Sequence, residues 1–195
     1  MLPWPLPPHT SALRQPQSNK SDYTQLKAVA REYLEARHQF LTRAKSHPEL
    51  AGNDNIMGRI GEMVAVQFLR SQGRKVDKHA AVNHAITDLA IVEEAGAERL
   101  VSVKLISAEN RGGTTTRLKY GWDEFILVEL QANYEVKRLG WLTIEDLRSQ
   151  GHEALVESSP ITKSSMLDAK GVVGRFGRVY DFENAADAPV LKALL

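Results

Sequence analysis

Apolar positions recur with a helical period over residues 22–44, where Leu26, Val29, Ala30, Tyr33, Leu34 and Leu41 fall on one stripe and charged residues occupy the opposite face. Ser21 or Asp22 can cap this helix, and His47-Pro48 marks its end. The segment GNDNIMG reads as a loop into a second helix over 58–72, with Ile60, Met63, Val64 and Phe68 on its buried side and Gly73 as terminator. The period then changes from helical to alternating. Residues 75–78, 86–92 and 99–106 predict strands, the last two joined through Glu93-Glu94-Ala95-Gly96 as a hairpin. Residues 125–130 form an apolar run suited to a central strand, and 136–142 predict a strand that pairs beside it. Thr143 caps a short helix to about residue 149. From Gly151 the chain reads as irregular, with a last strand at 176–182. This order predicts an α/β fold, a mixed central sheet flanked by helices.

Composition adds boundaries and exclusions. Residues 1–21 hold most of the eight prolines and few large aliphatics, which predicts a flexible arm ahead of an N-terminal helix at 22–50, a main domain at 51–183 and a tail at 184–195. Trp4 within the arm suits either a docking anchor or an incidental position in a tail. No apolar run approaches the roughly 18 residues that span a bilayer. The opening MLPWPLPPHT lacks a basic n-region, so a cytoplasmic protein without membrane contact is expected. The chain has no cysteine, which excludes disulfides and thiolate metal sites. Any metal is then held by oxygen or imidazole, and carboxylates favour hard ions such as Mg²⁺ or Mn²⁺. His79 and His84 lack the i, i+4 helical pairing of a zinc site. Net charge is only +1, so a polyanion partner requires locally clustered cations.

Three chemistry-bearing features fall in a usable order. Glu62 follows Gly58 and Gly61 in the second helix, Asp88 lies in the strand 86–92, and Ser102 and Lys104 share one face of the strand 99–106. A hairpin brings Asp88 beside that Ser/Lys face. Carboxylates there can hold a divalent ion, the Val103 carbonyl adds a hard oxygen, and the lysine can orient water or neutralise developing charge. Each residue also has a plainer reading: a helix-dipole contact for Glu62 and solvated strand positions for Asp88 and Lys104.

GRIGE (58–62), TD (87–88) and VSVK (101–104) resemble the motifs of the PD-(D/E)xK superfamily of restriction enzymes, resolvases and repair nucleases. The resemblance spans roughly residues 55–130. It implies a restriction-endonuclease-like core of helix, three-stranded meander, helix and strand, and metal-dependent DNA endonuclease activity. By that match Glu62 is the helix carboxylate, Asp88 the central metal ligand and Lys104 the catalytic lysine. Ser102 departs from the pattern, because an acid or glutamine is usual two residues before the lysine. Glu62, then Glu109, is positioned to replace the missing charge; failing both, the fold persists as a catalytically inactive subunit that binds nucleic acid or scaffolds a complex. The stretch 107–117, where the superfamily usually has a helix, reads as a loop.

Two cationic segments are candidates for nucleic-acid contact. Residues 163–178 carry Lys163, Lys170, Arg175 and Arg178 among small residues, which suits phosphate binding or an ordinary solvated loop. Arg111, Arg117 and Lys119 follow Lys104 closely and suit the holding of a scissile strand. Trp122 and Asp123 read as structural, with Trp122 half-buried. A homodimer or a larger protein complex is a further expectation, since cutting both strands of a duplex favours paired sites.

Overall fold

The computed structural model describes residues 20–47, 56–77, 87–93, 96–108, 110, 114–115, 118, 121–152 and 161–194. Met1–Arg43 and Ala44–Leu195 form separate units. α1 (Lys20–Ser46), most of it in the first, follows the helical period of the sequence. Its stripe is not all core: Val29 and Tyr33 are exposed, and Leu41 is half-buried.

The second unit is a mixed six-stranded sheet with helices on both faces. After α2 (Ile56–Ser71), the strands β1 (Val76–Asp77), β2 (Leu89–Val92) and β3 (Glu98–Ile106) form an antiparallel meander. Gly73 adopts φ +77° just past α2, a conformation open to glycine at little cost, and so ends the helix as its position predicts. The β2–β3 turn closes with the Gly96 N–H donating to the Glu93 carbonyl. Next come β4 (Thr114–Thr115), β5 (Glu124–Leu130) and β6 (Val136–Thr143). β5 runs parallel to β3 and antiparallel to β6, so the sheet order is β1-β2-β3-β5-β6-β8. All seven residues of β5 are buried, as expected of a strand covered on both faces. Thr143 caps α3 (Ile144–Arg148) through a reciprocal bond with Asp146.

The region read as irregular is more ordered than its glycines suggest. β7 (Ile161–Thr162) pairs with β4, and α4 (Lys163–Leu167), α5 (Val172–Phe176), the edge strand β8 (Arg178–Asp181) and α6 (Ala188–Lys192) follow. The segment 184–195 is not a detached tail in its structure: Leu191 and Leu194 are buried in the core.

Strand alternation divides the core in two. Val101, Val103, Leu105, Ile126, Val128 and Leu139 face α2, where Val64, Phe68 and Leu69 are fully buried. Ile106, Phe125, Leu127 and Leu142 face the other way, toward Leu147, Leu167 and Val173. Each such side chain contributes about 1.5–3 kcal/mol on burial. Close approaches fix both layers: a Cβ on Gly61 would stand 3.0 Å from Leu105 Cβ, and one on Gly140 would stand 2.5 Å from Leu167 Cδ2.

Candidate active site at the end of β2

Asp88 lies one residue before β2 rather than within the strand expected at 86–92, and Ile86 is outside the described residues. Its N–H still donates to the Val101 carbonyl at 3.0 Å, continuing the ladder by one bond. There the backbone pairing of β2 stops and the side chain takes over. Asp88 Oδ2 accepts the Val103 N–H at 2.7 Å and the Ser102 hydroxyl at 3.4 Å, and stands 4.0 Å from Lys104 Nζ. The N–H and C=O of one strand residue point toward the same neighbour. The Val103 carbonyl therefore faces the same side as Asp88, past the last β2–β3 pair among the described residues.

Side-chain exposures differ usefully across this cluster. Asp88 keeps 28% and Lys104 20% of their side-chain surface, enough for solvent or a ligand to reach them. Ser102 is 2% exposed and sits beneath them. Thr87, next to Asp88, is buried, and its Oγ1 has no hydrogen-bond partner among the described residues. Sequence reading did not single it out.

The geometry thus joins Asp88, Ser102, Lys104 and the Val103 backbone. Glu62 is half-buried on α2 and follows Gly61, whose neighbour is Leu105. Leu105 lies on the opposite face of β3 from Ser102 and Lys104, so Glu62 belongs to the layer behind the cluster. Glu109, Arg111, Arg117 and Lys119 lie outside the described residues, as do Asn53, Asp54, Asn55, His79 and His84. Among the described residues no three His, Cys, Asp or Glu side chains converge as a metal-holding group. The oxygens at hand are the Asp88 carboxylate and the Val103 carbonyl, hard donors suited to Mg²⁺ or Mn²⁺ but carrying one negative charge.

The cations of 163–178 are dispersed over several elements. Lys163, on α4, is 3.9 Å from the buried carboxylate of Glu129. Lys170 is exposed in the turn after α4. The Arg175 guanidinium lies over the Phe176 ring at 4.6 Å, and that of Arg178 over Tyr180 at 4.2 Å. The glycines between them serve packing. A Cβ on Gly171 would lie 2.6 Å from the Met166 carbonyl oxygen, and one on Gly174 only 2.1 Å from that of Asp168. The loop read as a possible phosphate cradle is therefore two short helices pressed against each other.

Two buried acids were missed by the sequence reading. Glu124 begins β5 and is 1% exposed; its Oε1 accepts Arg74 Nη2 at 3.0 Å and Arg99 Nε at 3.1 Å, and its Oε2 accepts Trp141 Nε1 at 2.8 Å. Glu129 accepts Arg138 Nε at 2.6 Å, and Arg138 continues to Asp168 at 2.9 Å. Glu129, Lys137 and Lys163 line a cleft of about 520 Å³ beyond the carboxyl ends of β3 and β5. The sequence signal was EFILVEL itself, an apolar run bracketed by two glutamates that must be neutralised if the run is central. Trp122 is more deeply placed than expected, 7% exposed against Phe125, while Asp123 is structural as read and accepts the Leu100 N–H at 2.7 Å.

In comparisons with known proteins, no family model matches the chain and no curated protein matches it in sequence. Among the described residues no helix is long and apolar enough to cross a membrane.

Proposed function

We propose that the chain is a metal-dependent endonuclease-like protein of the PD-(D/E)xK type that hydrolyses DNA phosphodiester bonds. One observation carries the reading: Asp88 Oδ2 stands 4.0 Å from Lys104 Nζ while accepting the N–H of the residue between Ser102 and Lys104. An acid at the start of the strand that pairs with the lysine-bearing strand is what the sequence motif calls for, and Ser102 is the one departure from it. Support also comes from topology, since α2, the β1–β3 meander and a β5 parallel to β3 follow the chain order of a restriction-endonuclease-like core.

In this reading Asp88 and the Val103 carbonyl hold Mg²⁺ or Mn²⁺, and the added charge comes from Glu109, because Glu62 stands in the α2 layer on the other face of β3. The ion, when bound, contributes Lewis-acid polarisation of the phosphate and a more acidic water. The Lys104 ammonium, 4.0 Å from Asp88 Oδ2, orients the attacking water and offsets charge gathering on the phosphate oxygens. The Val103 N–H and the Ser102 hydroxyl hold Asp88 in one rotamer. Arg111, Arg117 and Lys119 contact the strand being cut, and Lys163, Lys170, Arg175 and Arg178 are more distant phosphate contacts. One feature favours a second reading, a catalytically inactive subunit that binds nucleic acid or scaffolds a complex: Ser102 stands where an acid is usual, and it is buried.

A cleavage assay on linear, supercoiled, single-stranded and branched DNA with Mg²⁺ or Mn²⁺ separates the two. Metal-dependent cutting that is lost in Lys104→Ala and in Asp88→Asn supports the nuclease. Clean wild-type protein that binds DNA in a salt-sensitive manner without cutting supports the inactive subunit. Neither cutting nor binding overturns both.

A further inference from the structure

The apolar positions of α1 that include the exposed Val29 and Tyr33 have the spacing of a two-stranded coiled coil. With Leu26 written as position a of a heptad, Val29 falls at d, Tyr33 at a, Ala36 at d and Phe40 at a. Val29 is 61% and Tyr33 64% exposed, Ala36 is exposed and Phe40 is half-buried. At 27 residues the helix is about 40 Å long. Large apolar side chains repeating along one such line are what an adjoining helix buries.

The flanking charges select the neighbour. Glu32 takes position g and Arg37 the e position of the next heptad. Both are exposed, and neither has an ion pair or hydrogen bond among the described residues. Their own helix offers none. The residues three and four away from Glu32 are Val29, Glu35, Ala28 and Ala36, and those from Arg37 are Leu34, Phe40, Tyr33 and Leu41. Five residues apart, Glu32 and Arg37 do not face each other. In a parallel in-register pair, however, g of one helix meets the following e of its partner, so both copies gain a Glu32–Arg37 pair across the seam. An antiparallel pair would instead set like charges opposite one another.

We propose that α1 is a dimerisation helix, and that its partner is α1 of a second copy of this chain in parallel register. The inference stands apart from the nuclease reading, because it holds whether or not Asp88 and Lys104 perform chemistry. The seam spans little more than two heptads, so the association is concentration-dependent.

The test uses the full chain in sedimentation velocity over a hundredfold range of concentration. The expected result is a shift toward twice the monomer mass as concentration rises. Glu32→Arg and Arg37→Glu should each raise the dissociation constant at least tenfold, and the double variant, which restores opposite charges across the seam, should recover most of that loss. The cysteine-free background gives a second readout. Ala36→Cys at d should form an intermolecular disulfide under mild oxidation, whereas His38→Cys at f should not. A chain that stays monomeric throughout overturns the proposal. So does a dimer indifferent to the charge changes, or one that crosslinks equally through both cysteines.

Discussion

Asp88 substitutes its side chain for the next rung of the β2–β3 ladder: Oδ2 takes the Val103 N–H at 2.7 Å, where a longer β2 would have supplied a carbonyl. The same oxygen lies nearest Lys104. Structural and chemical duties therefore fall on one carboxylate, and two substitutions separate them. Asp88→Asn keeps an acceptor for Val103 and should melt close to wild type while losing metal-dependent cutting. Asp88→Ala leaves a buried N–H unmet and should cost about 1–3 kcal/mol in denaturant titration as well. Equal stability of the two variants would refute the capping role.

Ser102→Asp tests the charge deficit. A second carboxylate beneath Asp88 should destabilise the metal-free protein through like-charge repulsion. Saturating Mg²⁺ or Mn²⁺ should then raise the melting temperature of the variant by several degrees more than that of wild type, because a ligand that binds only the folded state adds stability by mass action. Identical metal responses in the two proteins would remove the metal site from this edge.

Glu124 should be costly to lose. Truncation to Ala leaves Trp141 Nε1 and two guanidinium groups without their common acceptor, an expected loss of about 3–5 kcal/mol. Equilibrium unfolding in urea measures it; a loss below about 1 kcal/mol would show that water replaces the carboxylate easily.

Gly174→Ala should destabilise by about 1–3 kcal/mol or more, since the added methyl would have to displace the Asp168 carbonyl. Gly96→Ala meets nothing within 4 Å, and its cost comes from φ +76° alone. Comparing their melting temperatures distinguishes packing from backbone strain.

Acid stability carries a signature at Glu145. Partial burial pushes its carboxyl up, but its own N–H, the Arg99 guanidinium and Thr143 outweigh this and hold it below the ordinary value. A group lowered on folding stabilises above its unfolded pKa of about 4.3, and that stabilisation fades as pH falls through the folded value. The advantage of wild type over Glu145→Gln should therefore be present at pH 7 and vanish toward pH 3 in thermal melts. It should stay within about 1 kcal/mol because the pair is exposed to solvent.

The sequence carried the strands well because burial alternation and turn chemistry are local. Gly96, Gly73 and Thr143 each mark an end that the backbone then realises. Pairing of β3 with β5 was not legible, since parallel register depends on contacts made across the connection 107–123. The region after Gly151 misled for a definite reason: Gly171 and Gly174 look like loop residues, yet they are small because backbone from a neighbouring turn needs the space. At the site, Asp88, Ser102 and Lys104 followed from period-2 geometry. Thr87 did not, because an isolated threonine beside an acid has no pattern of its own.

The parallel seam between β3 and β5 also has a kinetic meaning. Each of these strands belongs to a hairpin closed by a short turn, β2–β3 and β5–β6, and such hairpins form within microseconds. Their union must close the much longer connection 107–123, so it is the slow, entropy-limited event of assembly. Val103 and Ile126 face each other across that join. Trimming either should retard refolding as well as hasten unfolding, whereas trimming Val76 on the edge strand β1 should act on unfolding alone.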